Sequence, residues 1–190
     1  MSTGTSTGLH LPPTPGQTVG PFFHYALPYG GDADLVPVGA PGAVRLHGSV
    51  FDGAGVAVRD ALLEVWQADP QGRVVRRPGS LRRDGWTFTG FGRCATDGAG
   101  RYSFTTLRPG PVAGGLPFFA LTVFARGLTH RLTTRAYLPP ADGATDALLT
   151  AAGPRARTLV CAEEEGFRFD VHLQGPDETV FLVTPGEGAP

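Results

Sequence analysis

From residue 43 the chain alternates apolar and polar positions with a period of two. Val44, Leu46, Gly48 and Val50 fall on one side and Arg45, His47, Ser49 and Phe51 on the other, the pattern of a half-buried strand. Asp52-Gly53-Ala54-Gly55 turns the chain, and Ala61–Gln67 alternates again, with Leu63 and Val65 against Glu64 and Trp66. Phe91–Thr96 and Tyr102–Thr106 follow, joined by the turn Asp97-Gly98-Ala99-Gly100. Pro117–Arg126 is largely apolar on both faces, which predicts a central strand, and Leu132–Leu138 comes after a short link. Phe167, Phe169, Val171 and Leu173 alternate once more, and Thr179–Val183 reads as the last strand. One short helix is predicted within 142–152, capped by Thr145 or Asp146. Residues 69–90, rich in Asp, Pro, Gly and Arg, read as a long loop of the kind that is functional or disordered.

About eight short strands separated by Gly, Pro and Asp turns predict an all-β fold, an antiparallel β-sandwich spanning 43–190. The 28 glycines and 18 prolines among 190 residues argue against long helices, and the 41% hydrophobic content is enough for one core. Residues 1–9, of Ser, Thr and Gly, are expected to be disordered. Residues 10–42 carry four prolines in their first dozen positions and aromatics (Phe22, Phe23, Tyr25, Tyr29) further on. That is too apolar for a free tail and too broken for a helix. It predicts an extended N-terminal arm, packed on its own domain or on a partner subunit.

The 16 cationic side chains are all Arg, with no lysine, which excludes Schiff-base and pyridoxal phosphate enzymes, P-loop NTPases and protein kinases. A net charge of −1 gives no field for nucleic acid or a membrane surface. Cys94 and Cys161 form no CxxC and read as buried free thiols of a reducing compartment. The first 20 residues contain no Arg or Lys, so no secretory n-region is read there. The longest apolar run, Pro117–Ala125, is too short to span a bilayer. A cytoplasmic location is expected. The five serines have no G-x-S-x-G context, and the five histidines form no pair at metal-ligand spacing. Glu163-Glu164-Glu165 reads as a solvated run. The residues by themselves point to no catalytic machinery within this chain.

Val50-Phe51-Asp52-Gly53-Ala54-Gly55 and Thr96-Asp97-Gly98-Ala99-Gly100-Arg101-Tyr102 form a general prealbumin-like sandwich signal. Leu63-Glu64-Val65-Trp66-Gln67-Ala68-Asp69, together with Gly92-Arg93-Cys94-Ala95-Thr96-Asp97, is more specific and resembles the intradiol ring-cleaving dioxygenases. Thr14-Pro15-Gly16-Gln17-Thr18-Val19-Gly20-Pro21-Phe22, Phe124-Ala125-Arg126-Gly127, Arg131–Tyr137 and Phe167-Arg168-Phe169-Asp170 extend the resemblance over about residues 14–183.

The resemblance implies a non-haem Fe(III) enzyme that opens a catechol ring with O₂ in aromatic catabolism. The family holds its iron with two Tyr and two His, from G-R-Y, P-G-P-Y and R-P-A-H-I-H segments. This chain departs at each: Gly72-Arg73 leads to Val74, Pro109-Gly110-Pro111 leads to Val112, and the two His positions fall on Phe118 and Ala120. Hydrocarbon side chains have no lone pair for a metal, so no metal is expected in this chain and it is expected to be inactive alone. Two-chain members of the family explain the loss. A β chain carries the iron, and a homologous α chain without ligands helps to line the substrate cavity of an α–β heteromer within a higher oligomer. The positions matching the α chain's cavity residues are Thr18, Gly20, Pro21 and Arg126. A guanidinium suits a carboxylate-bearing aromatic substrate. On the residues alone, Arg126 is equally a strand-end Arg facing water. Two further readings stand beside this one: a stand-alone prealbumin-like binding module, and a purely structural subunit without a substrate contact.

Overall fold

The computed structural model describes residues 23–76, 84, 86–140, 144 and 146–183. The expected disordered tail, the arm as far as Phe22, and Thr145 lie outside the described residues.

Two sheets face each other across one core. The first has the order β4 (Arg101–Leu107), β1 (Ala43–Phe51), β8 (Phe167–Arg168) and β7 (Ala162–Glu163), with β9 (Val171–His172) also pairing β1. The second has the order β3 (Phe91–Ala95), β2 (Leu62–Trp66), β5 (Phe118–Phe124) and β6 (Leu132–Tyr137), all antiparallel. Alternation sends Leu46, Val50, Tyr102 and Phe104 inward from the first sheet. Leu63, Val65, Phe119, Leu121 and Val123 meet them from the second. The rings of Phe119 and Phe167 touch across the gap, with centroids 5.9 Å apart. Buried Gln67, just past β2, ties the sheets with polar bonds: Thr106 Oγ1 donates to its Oε1 (2.6 Å), and its Nε2 donates to the Leu107 carbonyl (2.9 Å).

The sandwich is mixed rather than purely antiparallel, because β8 and β9 run parallel to β1. The predicted strand through Phe167–Leu173 keeps one register against β1 but is interrupted at Phe169 and Asp170. The cause lies opposite, at Gly48, where a Cβ would sit 2.0 Å from the Phe169 carbonyl oxygen. That carbonyl accepts from the buried Tyr102 hydroxyl instead of continuing a ladder, while Asp170 Oδ1 accepts from Ser49 N (2.9 Å). The predicted strand Thr179–Val183 is reduced to a single bridge, Thr133↔Leu182. The hydroxyls of Thr133 and Thr134 capture the Leu182 and Val180 carbonyls (2.9 and 2.8 Å) in place of a ladder.

The short helix is α2 (Ala147–Ala152), capped by Asp146, and a 3₁₀ helix (Gly153–Leu159) continues it. The arm was expected to be free of helix, yet it contains the four-residue α1 (Phe23–Ala26). Beyond α1 the arm lies on its own sandwich: Arg93 Nη1 donates to the Leu27 carbonyl (3.0 Å), Arg93 N to the Asp32 carbonyl (2.8 Å), and buried Leu35 donates through N to Thr105 O (2.8 Å). Glu163, Glu164 and Glu165 are exposed, each near an Arg. Cys161 is buried, while Cys94, opposite Leu63 near the end of β3, is half-buried at the margin of the core. No helix among the described residues is long and apolar enough to cross a membrane.

Two outcomes follow from this packing. Tyr102→Phe leaves the buried Phe169 carbonyl without its donor and should lower unfolding free energy by about 1–3 kcal/mol, read from a shifted denaturant midpoint at constant slope. An unchanged midpoint would mean that the carbonyl finds another partner. Burial pushes the Cys161 thiol up to about 12, with its own backbone N–H pulling the other way. At pH 8 it is therefore a protonated, enclosed thiol. Native protein should leave Cys161 unmodified by a disulfide reagent, and guanidinium-unfolded protein should not.

Candidate functional site

The four positions that the resemblance matches to metal ligands lie on two loops, at Val74 and Val112, and on β5, at Phe118 and Ala120. Asp69 organises the first loop. Its Oδ1 accepts from Gln71 N and Arg73 N (both 2.9 Å) and its Oδ2 from Arg73 Nε (2.7 Å), closing a tight turn. Burial works against ionisation of this carboxyl, but the Arg73 and Gln71 backbone N–H groups and the Arg73 guanidinium outweigh it and hold the carboxyl below its ordinary value. The turn brings Val74 back to bridge Ala68. It also interlocks with the segment 108–112. Gly110 N donates to Asp69 O (2.9 Å), and a Cβ on Gly72 would lie 2.0 Å from the Pro111 carbonyl oxygen. Only a glycine at 72, at φ 79°, allows this approach. Val74, 60% exposed, and half-buried Val112 are therefore carried by two loops locked backbone to backbone.

Phe118 and Ala120 lie on the outer face of β5, where burial alternates along the strand. Ala120 is opposite Trp66 of β2 and Arg135 of β6, and Phe118 is opposite Tyr137. A second apolar cluster fills this place: buried Tyr137, Leu149 and Leu159, with Leu116, Phe118, Leu148, Val160 and Val180 packed against them. The Phe118 and Tyr137 rings are 5.6 Å apart, and the Arg135 guanidinium carbon lies 4.2 Å from the Phe118 centroid. The nearby oxygen donors are already engaged. Arg135 Nη1 donates to the Tyr137 hydroxyl oxygen (3.1 Å). Asp146 accepts from Leu148 N and Leu149 N (3.0 Å each) and from the Tyr137 hydroxyl. Burial pushes the Tyr137 phenol up, Arg135 draws it down, and Asp146 adds to the rise. A protonated phenol and a helix-capping carboxylate do not make an iron site. Among the described residues no group of three or more His, Cys, Asp or Glu could hold a metal ion. These residues do not fit iron.

Arg126 lies at the other end of the same strand. Continuing the β2–β5 ladder two residues past Leu62↔Phe124 brings Asp60 opposite Arg126, and Arg126 Nη2 donates to Asp60 Oδ2. The Arg126 side chain is 66% exposed and that of Asp60 11%. From Phe118 to Phe124 the strand runs six steps, roughly 20 Å at about 3.4 Å per residue, and Arg126 follows two residues later in a turn. Of the four expected cavity residues, Arg126 is described, while Thr18, Gly20 and Pro21 lie outside the described residues.

Sequence reasoning passed over Asp60, Arg135, Tyr137 and Asp146 in its role as a site residue. Periodicity cannot find Asp60, which precedes its strand. The pairing of β2 with β5, once assumed, would have placed it opposite Arg126.

A dioxygenase family model matches residues 20–115. The chain is 38% identical to the protocatechuate 3,4-dioxygenase alpha chain of Burkholderia cepacia, over 90% of this chain and 98% of that one. It is 34% identical to the beta chain from the same organism, over 72% of this chain and 66% of that one. The dioxygenase domain of a carbohydrate-binding fusion from Streptomyces sp. SirexAA-E has the same fold, with a TM-score of 0.54 at 26% identity over 86% of this chain and 99% of that one. The interlocked glycine turns, the two-sheet core and these similarities agree: the chain belongs to the intradiol ring-cleavage dioxygenase family, among the homologues of protocatechuate 3,4-dioxygenase alpha chains.

Proposed function

We propose that the chain is the iron-free α chain of a protocatechuate 3,4-dioxygenase and that Arg126 contributes to the substrate pocket of an iron-bearing β chain. One observation carries this reading. An apolar cluster packs around Phe118 at the start of β5, while an exposed guanidinium projects beyond the other end of that strand, which is roughly 20 Å long. That separation sets Arg126 apart from the apolar cluster of its own chain and supports a target on another chain. The similarity of both curated chains to this one supports a homologous α–β pair.

In this reading the paired chains break the bond between the two hydroxyl-bearing carbons of protocatechuate. Each carbon takes one atom of O₂, and 3-carboxy-cis,cis-muconate forms without an external reductant. This chain's part is recognition. Arg126 meets the ring carboxylate with a planar fork of N–H donors. Thr18, Gly20 and Pro21 join it, with Gly20 allowing backbone to approach the flat ring. We assign the arm's contact with the partner to residues ahead of Leu27, since the arm from Leu27 to Leu35 is bonded to its own sandwich. The α–β pair sits in a higher oligomer, and iron is held by the β chain.

Purified alone, the chain should be colourless, contain no stoichiometric iron and show no dioxygenase activity; a coloured iron protein would refute the assignment. In the reconstituted pair, Arg126→Ala should raise the KM for protocatechuate about 10- to 150-fold, the worth of a charge-assisted hydrogen bond, with iron content unchanged. Catechol, lacking the carboxylate, should be affected far less. Equal losses for both substrates would favour the purely structural reading, to which an Asp60–Arg126 ion pair also lends itself.

A further inference from the structure

We propose that Asp60 is a positioning residue that holds the Arg126 guanidinium ready for an aromatic carboxylate; this rests on the reading of Arg126 given above. Three features of the pair point to it. First, the partners flank the end of the β2–β5 ladder, each two residues beyond Leu62↔Phe124, and are joined there by a charged hydrogen bond. Second, their burial is unequal. The acid is nearly enclosed and the base stands largely in solvent, an arrangement that anchors one end of the interaction and presents the other.

Third, the backbone around Asp60 is clamped. Thr96 Oγ1 donates to Val58 O (2.9 Å) and accepts from Ala61 N (3.0 Å), and Thr96 N donates to Ala61 O (2.9 Å). Ala61 is fully buried. The carboxylate thus stands on a rigid base, and Arg126, on the turn after buried Ala125, is the flexible partner. A guanidinium has five N–H donors. Asp60 is the partner of Arg126 among the described residues and engages Nη2 alone, which leaves donors on Nε, Nη1 and Nη2 for a second carboxylate.

Two opposing effects follow. Holding the side chain in place removes rotamer freedom that substrate binding would otherwise have to remove. The Asp60 charge also offsets part of the attraction of Arg126 for an anion. The guanidinium lies largely in solvent, where pairwise attraction is strongly screened. Ordering therefore outweighs screening, and losing Asp60 should weaken carboxylate binding by roughly 2- to 12-fold, the worth of one immobilised side chain.

The test is the dissociation constant of protocatechuate and of catechol for the α–β complex, measured by calorimetry without O₂ so that no turnover occurs. The variants are Asp60→Asn, Asp60→Glu, Arg126→Ala and the Asp60→Asn/Arg126→Ala pair. Asp60→Asn removes the charge at constant size, and Asp60→Glu keeps the charge but displaces it. Both should weaken protocatechuate and spare catechol, and Asp60→Asn should add nothing once Arg126 is gone. If Arg126→Ala weakens protocatechuate while both Asp60 variants bind it as tightly as the native complex or more so, positioning is overturned and the Arg126 reading stands. If Arg126→Ala binds protocatechuate normally, both fall together. Equal weakening of catechol by the Asp60 variants would make the residue structural. Should Asp60→Asn fail to assemble, Asp60→Glu decides alone, and native affinity in that variant overturns the proposal.

Discussion

The β2–β5 ladder holds the two ends of the second sheet at a fixed separation, and both the sandwich and the site depend on its register. One antiparallel pairing, from Leu62↔Phe124 to Trp66↔Ala120, sends Leu63, Val65, Leu121 and Val123 into the core. The same pairing turns Glu64, Trp66, Phe118 and Ala120 to the outer face. A slip of one residue would turn the apolar set of the slipped strand to the outer face and part Asp60 from Arg126. The buried pairs Leu63–Val123 and Val65–Leu121 make such a slip costly. Core packing therefore fixes where Asp60 and Arg126 meet.

Around Phe118 and Ala120 the outer face of β5 is given over to packing. Ala120 leaves room on the outer face, and Phe118 fills its own position with a ring that meets Tyr137 and carries Arg135 above it. Arg135, Tyr137 and Asp146 satisfy one another, and Asp146 also caps α2. The helix is thereby tied to the sheet through the same residues that exclude a metal. A single His in place of Phe118 would not recover a site, since it would remove an aromatic contact while the remaining positions stayed apolar. The interlocked turns at Gly72 and Gly110 keep the loop geometry, so the scaffold persists without the ligands it could carry.

The strands β1 to β6 and the capped helix were legible because their alternation and turn residues are local signals: Val44 to Phe51, Leu63 to Trp66, Asp97 to Gly100 and Asp146 each carry their own. The C-terminal strands were not, because their fate is decided elsewhere in the chain. Gly48 draws the Phe169 carbonyl to Tyr102, and the Thr133 and Thr134 hydroxyls replace a ladder at residues 180–182. The site divides in the same way. Arg126 and the candidate ligand positions were nominated from motifs, since each lies inside a recognisable run. Asp60 and the Arg135–Tyr137–Asp146 network could not, because only strand pairing and helix docking assemble them.

The two ends of the sheet differ in how they treat charge. Around Phe118 a guanidinium is laid over an aromatic ring and its hydrogen bond is spent on a buried phenol, so its charge is turned to packing. At the other end an enclosed carboxylate supports a guanidinium that remains in solvent. A partly neutralised Arg on a rigid base is a poor long-range attractor for anions but a selective short-range one, because its remaining donors are fixed in a plane. That suits discrimination between aromatic ligands with and without a carboxylate better than general capture of negative charge.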